Sequence, residues 1–170
     1  MRKVPILYIV IPCYNEEEVL PITAPLFLEK IHQLVNEGKI LDESRILFVN
    51  DGSKDNSLNI VKEYKKSDER VCYLNLSRNF GKEVAMAAAL DYVRGDVVAI
   101  IDADLQDPPE LIIDMLKYYE EGYDDVYAKR KSRKGETILK KFTSHTFYRV
   151  LRSVSKVPIQ EDTGDFRLLS

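Results

Sequence analysis

Short apolar runs alternate along the chain with longer segments of helical periodicity. The runs that fit buried strands are residues 6–11, 45–50, 71–76, 97–101 and, more weakly, 124–128. Between them the sequence predicts helices over residues 16–37, 55–67, 81–94 and 108–121. Strands that alternate with helices imply right-handed crossovers and a mostly parallel sheet. Because the strands are almost continuously apolar, we expect an α/β fold with helices on both faces of the sheet.

Local signals predict where several of these helices begin. Residues 55–57 (DNS) offer N-caps for the second helix, and Asp107 is an N-cap candidate ahead of two prolines that suit a first helical turn. Pro21 and Pro25 interrupt the first helical segment. Since proline lacks the amide that a helix interior needs, the long first helix is predicted to begin near Pro25.

The last third of the chain combines a basic run with an apolar helical pattern. The basic run KRKSRKG, residues 129–135, fits either a solvated loop or a patch that meets lipid phosphate or anionic headgroups. Residues 136–156 carry apolar side chains at helical spacing, which favours packing on the sheet first and lying on a membrane second. The chain stops at DFRLLS without a helix stop signal, which indicates a fragment of a longer protein.

Composition sets broad limits on what the chain can be. Its 170 residues suffice for one domain with a core, and 45% hydrophobic with 31% charged residues is typical of a soluble globular protein. A net charge of -3 gives no general attraction to nucleic acid. Two cysteines without a CxxC pattern argue against zinc or a disulfide framework and favour a reducing compartment. No segment approaches a membrane span of ~20 apolar residues or a secretory signal, so this chain alone is predicted to be soluble.

Unusual polar residues follow four of the predicted strands. They are PCYNEE at 12–17, NDGSKD at 50–55, SRNFGK at 77–82 and DAD at 102–104. Because the carboxyl ends of parallel strands meet at one edge of a sheet, where open α/β sheets bind ligands, we expect these loops to lie together. Their carboxylates, amides, aromatic ring and two cations indicate a site for a nucleotide and a metal.

Each segment also has a plainer structural interpretation. Residues 16–18 fit an acidic first helical turn, residues 50–57 fit a turn with a helix cap, and Arg78 and Lys82 fit solvated side chains. The DAD segment fits a tight strand-to-helix loop less well, because its two carboxylates repel each other unless a positive group lies among them. Hard divalent cations such as Mg²⁺ or Mn²⁺ take such oxygen ligands and complete their shell with phosphates.

Four segments together resemble the inverting glycosyltransferases of family 2. They are IVIPCYNEEEVL, FVNDGSKDNS, LSRNFGKEVAMAAALDYVRGDVVAIIDADLQDPPELI and DTGDFRLLS, and the similarity extends over residues 4–170. They look most similar to the polyprenyl-phosphate branch, which includes dolichol-phosphate mannose synthases and bactoprenol-phosphate glucosyltransferases. The resemblance implies a GT-A fold, a single Rossmann-like domain over residues 1–170. In full-length bacterial relatives this domain continues into interfacial and transmembrane helices.

The resemblance also implies which residues bind the nucleotide. They are Pro12, Tyr14, Asn15, Glu17, Asp51, Lys82, Asp102 and Arg130. Among them, Lys82 and Arg130 are the candidates for the diphosphate, and Asp102 would lie near the ribose or the base edge.

Metal binding and catalysis are likewise implied for the two remaining acidic segments. Asp104 would ligate Mg²⁺ or Mn²⁺, with Gln106 as a further ligand or a group that supports the ligand. Asp165 is the favoured residue beside the reacting sugar, and Asp162 is the second candidate. With Asp104, these two are the predicted catalytic residues.

The implied reaction moves a sugar from a nucleotide-sugar, with UDP favoured, to a polyprenyl phosphate by one in-line displacement with inversion. The metal and the cations would neutralise the leaving diphosphate. A lipid phosphate is already largely anionic near neutral pH, so Asp165 would orient the reactants rather than take a proton. A saccharide hydroxyl acceptor would instead need Asp165 as a general base.

Other readings of the same segments remain open. The chain could be a family 2 transferase with a saccharide hydroxyl acceptor, or an inert nucleotide-binding fragment. A receiver-like phosphoacceptor module shares the parallel α/β pattern, but it gives PCYNEE and DTGDFR no role. On the favoured reading, the full-length protein works at the cytoplasmic face of a membrane, with a lipid-phosphate acceptor and no nucleic-acid partner.

Overall fold

A computed structural model describes residues 2–129 and 163–170. The described residues up to Tyr127 together with Asp165–Ser170 form one compact unit, and the site described below lies in it. The strands of the described residues are β1 (Leu7–Cys13), β2 (Arg45–Asn50), β3 (Val71–Asn75), β4 (Val97–Ile100), β5 (Asp125–Lys129) and β6 (Thr163–Leu169). The helices are α1 (Leu20–Asn36), α2 (Ser57–Ser67), α3 (Lys82–Tyr92) and α4 (Leu111–Glu120).

The sheet has the strand order β3-β2-β1-β4-β6-β5. Strand β1 pairs in parallel with both β2 and β4, and β2 pairs in parallel with β3. The chain therefore builds outward on one side of β1 and then crosses to its other side to form β4. Such a switch leaves a crevice at the carboxyl ends of the two central strands, where open α/β sheets bind their ligands. The predicted mostly parallel α/β fold is confirmed.

Apolar side chains cover both faces of the central strands. Val10 and Val49 pack against α3 through Ala85 and its neighbour one turn on, Ala89. Because side chains alternate along a strand, Ile9 and Phe48 point to the other face, and both are fully buried. Helices α1 and α2 contact β2. The two layers of helix hold the strands in place and leave their carboxyl ends to form loops.

Helix α1 begins at Leu20 and runs through Pro25, so the expected start near Pro25 is wrong. Pro25 has no amide to donate to the carbonyl of Pro21, and the hydroxyl of Tyr64 in α2 donates to that oxygen instead, at 3.4 Å. The helix buries an apolar stripe made by Leu20, Ala24, Phe27, Ile31 and Leu34. Burial stabilises by about 1.5–3 kcal/mol for each large side chain, which outweighs the roughly 3 kcal/mol that an interior proline costs.

Helix α4 begins at Leu111, later than predicted, and Glu110 occupies its N-cap position without a side-chain cap. The predicted N-cap at Asp107 is therefore wrong. The amides of Leu111 and Ile112 bond to carbonyls three residues earlier, so the proline pair belongs to a tight turn that precedes the helix. Asp107 itself is buried, at 9% exposure.

Strand β6 is absent from the sequence-based prediction. It runs antiparallel to β4, with Ile100 opposite Arg167, and its side chains Phe166 and Leu168 are buried. Arg130, Asp162 and the predicted helix over residues 136–156 lie outside the described residues. Within the described part of the chain, no helix is both long and apolar enough to cross a membrane.

Candidate functional site

A cavity of about 360 Å³ opens at the carboxyl ends of β1, β2 and β4. It is lined by Pro12, Cys13, Tyr14, Glu16, Asp51, Asn79, Gly81, Lys82, Asp102, Ala103 and Asp104. Its position is the crevice that the switch between β1 and β4 creates, and its volume is within the range of small-molecule sites. We call it the switch-point cavity.

The structure brings six of the predicted site residues to this cavity. They are Pro12, Tyr14, Asp51, Lys82, Asp102 and Asp104. Tyr14 is 41% exposed and lines the cavity, so its aromatic side chain is accessible to a ligand. The common position of these residues agrees with the expected meeting of the four loops, while their individual binding roles stay predictions.

Asn15 and Glu17 do not line the switch-point cavity, because their side chains join the loop after β1 to the loop after β2. The side-chain oxygen of Asn15 accepts the amide of Lys54 at 2.8 Å. The carboxylate of Glu17 accepts the amide of Asn56 at 2.8 Å. Asn15 has a φ of 56°, a left-handed conformation that asparagine tolerates well. Both side chains lie beside a second cavity, of about 400 Å³.

Asp55 and Ser57 complete this joint between the two loops. Asp55 accepts the amide of Glu17 at 3.0 Å and the hydroxyl of Ser57 at 2.6 Å. The hydroxyl of Ser57 in turn accepts the amide of Glu16 at 2.7 Å. Burial pushes the pKa of Asp55 up, but these hydrogen bonds outweigh it and hold the pKa below its ordinary value. Of the three cap candidates, Asn56 takes the N-cap position of α2 without a side-chain bond, and Asp55 serves the loop.

Asp51 ties the end of β2 to the loop that precedes α3. It is 3% exposed, and its two oxygens accept the amides of Phe80 at 2.8 Å and of Gly81 at 2.9 Å. The next residue, Gly52, has a φ of +66°, and a Cβ there would lie 2.2 Å from the carbonyl carbon of Arg78. The two loops therefore meet backbone to backbone at a point where a side chain has no room.

Lys82 is the first residue of α3, and its ammonium group bonds to the carboxylate of Asp102 at 2.5 Å. The DAD segment therefore has a positive group beside it in the protein itself. Asp104 follows a different pattern, since its carboxylate accepts the amide of Gln106 at 3.1 Å in a tight turn. Leu105, between them, has a φ of +55°. The side chain of Gln106 is exposed and does not line the switch-point cavity.

Glu16 is a cavity residue that the sequence-based prediction missed in favour of Glu17. It is partly buried, and its pKa is raised first by that burial and then by the negative charges of Asp104, Asp55 and Asp102. The run of glutamates indicated the loop correctly, but the backbone conformation of that loop decides which carboxylate lines the cavity. Asn79 was missed in the same way within SRNFGK.

The oxygen ligands of the cavity suit a hard divalent cation. The carboxylates of Glu16, Asp102 and Asp104 line one cavity, and a cation between Asp102 and Asp104 would reduce their mutual repulsion. Within the described residues no three His, Cys, Asp or Glu side chains are arranged to hold an ion by themselves. Mg²⁺ characteristically uses one or two carboxylates and takes its remaining ligands from water and phosphate, so the residues fit a metal that arrives with a phosphate group.

The backbone of Asp165 lies in β6, near the carboxyl end of β4. In the antiparallel pairing, Ala99 lies opposite Leu168 and Ile100 opposite Arg167. Continuing that register by two residues brings the backbone of Asp165 to the level of Asp102. The acidic residue of the terminal motif thus belongs to the same end of the sheet as the cavity, and its catalytic role stays a prediction.

Comparison with known proteins identifies the class. The family model for glycosyl transferase family 2 matches residues 8–170, and the chain belongs to that family. It is 47% identical over 161 residues to an uncharacterized glycosyltransferase, YkcC, of Bacillus subtilis (strain 168), covering 95% of this chain and 48% of that protein. It is 42% identical over 164 residues to the bactoprenol glucosyl transferase of Shigella phage SfX, covering 95% and 51%. The chain spans about half the length of the curated relatives it matches.

Solved structures of other glycosyltransferases show the same fold. Glucosyl-3-phosphoglycerate synthase from Mycobacterium tuberculosis, in complex with UDP, matches with a TM-score of 0.62 at 20% identity, covering 96% of this chain and 56% of that one. The mannosyltransferase PcManGT from Pyrobaculum calidifontis, in complex with GDP-Man and Mn²⁺, matches with a TM-score of 0.56 at 24% identity, covering 87% and 39%. The predicted GT-A fold is confirmed.

Proposed function

We propose that this chain carries the catalytic domain of an inverting glycosyltransferase that moves a sugar from a nucleotide-sugar to a polyprenyl phosphate. A UDP-sugar is the favoured donor. The observation that carries the proposal is the switch-point cavity, which joins an aromatic face, a lysine and two strand-end aspartates in one small volume. A nucleotide-sugar needs a surface for its base, a cation for its diphosphate and carboxylates for its metal.

The described residues divide the work of donor binding. Tyr14 offers its ring to the base, and Asp102 lies where the nucleoside would enter. Lys82 is a cation in the first turn of α3, where the helix dipole also favours an anion, so a diphosphate is the matching group. Asp104 would hold Mg²⁺ or Mn²⁺, which, when bound, stabilises the negative charge of the leaving diphosphate.

The acceptor is inferred from the relatives. Several proteins that are 41–42% identical to this chain are named bactoprenol glucosyl transferases, and the name supports a polyprenyl lipid as acceptor. A lipid phosphate attacks as an anion, so the site has to align it behind the sugar and does not have to remove a proton. We place the full-length protein at the cytoplasmic face of a membrane, where such a lipid would be presented.

Calorimetric titration of the chain with UDP and with GDP, each with and without Mn²⁺, tests the donor site. We expect UDP to bind in the presence of Mn²⁺ and at least about tenfold more weakly without it, and GDP to bind at least about tenfold more weakly than UDP. Binding of neither nucleotide would reject the donor site. Equal binding of both would reject the preference for UDP. Transfer from UDP-glucose to a short-chain polyprenyl phosphate, followed by lipid extraction, tests the acceptor.

A substitution at Asp165 distinguishes between the two candidate acceptors, a lipid phosphate and a saccharide hydroxyl. The register of β6, continued by two residues, brings its backbone to the same end of the sheet as the cavity, which supports a role at the donor site. If the acceptor is a lipid phosphate, the rate of Asp165→Asn should fall by about tenfold or less, because no proton has to be removed. If the acceptor is a saccharide hydroxyl, the variant should lose about 10²–10⁴ in rate, the usual contribution of a general base. Single-turnover rates with each acceptor decide between them.

A further inference from the structure

Lys82 occupies a position that a diphosphate and a metal would both affect. Its ammonium group is bonded to Asp102 at 2.5 Å inside the cavity that also contains Asp104. The side chains of Lys82 and Asp102 are 32% and 39% exposed, so the pair is neither buried nor fully solvated. A ligand that enters the cavity can therefore reach the pair.

The position of Lys82 is set by the scaffold. The buried carboxylate of Asp51 accepts the amides of Phe80 and Gly81, the two residues directly before Lys82. Gly81 has a φ of +97°, which turns the chain into α3 at this point. These hydrogen bonds hold the backbone just before Lys82, so any movement of the ammonium group has to come from the lysine side chain.

We propose that Lys82 makes the binding of metal and nucleotide depend on each other. The inference rests on the proposed donor site. In the ligand-free protein the ammonium group neutralises Asp102 and repels a bare divalent cation from the neighbouring Asp104. An arriving diphosphate offers the ammonium group a more highly charged partner. Once Lys82 pairs with phosphate, the charge of Asp102 is again available to attract the metal.

Thermodynamic linkage turns this exchange into a measurable quantity. If nucleotide raises the affinity for metal by a given factor, metal must raise the affinity for nucleotide by the same factor. Without Lys82, a bare metal ion should bind more tightly, because Asp102 and Asp104 then present their full negative charge. The affinity for metal in the presence of nucleotide should change less, so the coupling factor should fall.

The experiment is a titration of Mn²⁺ into the whole chain, with free Mn²⁺ followed by electron paramagnetic resonance, in the absence and presence of saturating UDP. We expect Lys82→Gln to bind Mn²⁺ about tenfold more tightly than the wild type without UDP, and the coupling factor to fall by a similar amount. Lys82→Arg keeps the charge and should keep the coupling. Lys54→Gln removes an exposed cation from the neighbouring loop and should change Mn²⁺ affinity by less than about twofold.

The outcomes separate this inference from the proposed function. Unchanged or weakened Mn²⁺ binding by Lys82→Gln without UDP overturns the inference, while Mn²⁺-dependent UDP binding by the wild type keeps the donor site. A wild type that does not bind UDP even with Mn²⁺ overturns the donor site and, with it, the coupling. An equal gain in Lys54→Gln also overturns the inference, because the effect would then follow from net charge alone. A melting temperature for Lys82→Gln within about 2 °C of the wild type excludes unfolding as the cause.

Discussion

Two acidic loops at the same end of the sheet use their carboxylates in opposite ways. In the loop after β2, Asp51 accepts the amides of Phe80 and Gly81, and Asp55 accepts the amides of Glu17 and Ser57. In the loop after β4, Asp102 faces a lysine and Asp104 accepts one amide from its own turn. The first loop satisfies its charges with backbone N–H groups, although Asp51 also lines the cavity, whereas the two carboxylates of the second loop line it with fewer such partners.

The difference separates scaffold from site. A carboxylate that accepts two or three hydrogen bonds is held in place, and only one or two of its about four lone-pair sites are left for a ligand. A carboxylate whose partner is a movable ammonium group can exchange that partner for a metal or a water. Changes in the first loop should therefore reduce stability, and changes in the second should reduce ligand binding.

The largest effect is expected for Gly52→Ala, in the scaffold loop. A Cβ there would lie 2.2 Å from the carbonyl carbon and 2.5 Å from the next amide nitrogen of the Arg78–Asn79 backbone, and its φ of +66° is unfavourable for alanine. Since backbone cannot move aside as a side chain can, we expect about 4 kcal/mol of lost stability, which corresponds to a fall in Tm of roughly 10 °C. Differential scanning calorimetry measures it.

Gly38→Ala is the matched control for backbone strain. Gly38 has nearly the same φ, +67°, but nothing lies within 4 Å of a Cβ placed there. This variant should lose about 1 kcal/mol, the cost of left-handed backbone alone. Equal losses at the two glycines would mean that the two loops do not meet as tightly as the structure shows.

Asp104→Asn in the site loop should have a large effect on ligand binding and little effect on folding. Asparagine retains the oxygen that accepts the amide of Gln106 but loses the charge that a divalent cation needs. We expect Mn²⁺-dependent affinity for UDP to fall about 100-fold, which is about 2.7 kcal/mol, with Tm within about 2 °C of the wild type. Calorimetric titration measures the affinity.

The control for this charge change is Asp114→Asn, at an exposed position in α4 where the aspartate pairs with Lys117. It should leave UDP affinity unchanged. If Asp104→Asn binds UDP with Mn²⁺ as the wild type does, the metal is held by other residues and the contrast between the two loops fails.

Asp51→Asn tests whether the scaffold loop is only a scaffold. The change replaces one carboxylate oxygen by an NH₂ group, which cannot accept the amide that the oxygen received. We expect about 2 kcal/mol of lost stability in urea denaturation, because a buried N–H is left without its acceptor. Unchanged stability together with lost UDP binding would show instead that Asp51 acts mainly as a ligand group, as the family resemblance implied.

Much of the fold follows from patterns that the sequence displays directly. The central strands are short and apolar because they are buried on both faces, so their positions can be predicted from the sequence alone. The path of α1 through Pro25 could not be predicted in this way, because it depends on an apolar stripe that is buried only in the folded protein. Strand β6 was missed for a similar reason, since its pairing partner β4 lies more than sixty residues earlier.

The candidate site was predictable as a set of loops but not as a set of side chains. The order of strands brings the loops together, and the sequence carries that order in its alternation of strand and helix. Whether a carboxylate enters the cavity depends on the local turn. Glu16 lines the cavity, while Glu17, one residue on, accepts the amide of Asn56. The conformation of the turn decides which of the two neighbouring carboxylates lines the cavity, and the periodicity of the sequence does not predict that conformation.

The smallest effect is expected for Glu16→Gln, which tests how the negative charge of the cavity affects stability. Burial and the charges of Asp104, Asp55 and Asp102 raise the pKa of Glu16 in the folded protein. A carboxyl group whose pKa is raised on folding contributes stability below its unfolded pKa, and loses that contribution as the pH rises through the folded value. At about pH 7, above its unfolded pKa, Glu16 therefore contributes less stability than a neutral side chain would, and glutamine should raise Tm by about 1–2 °C. The gain should shrink as the pH falls and vanish near about pH 3, below the ordinary glutamate pKa of about 4.3, where the side chain is protonated in both states. Thermal melts at the two pH values measure it. A gain of the same size at both would mean that side-chain shape, and not the negative charge of the cavity, sets the stability of this position.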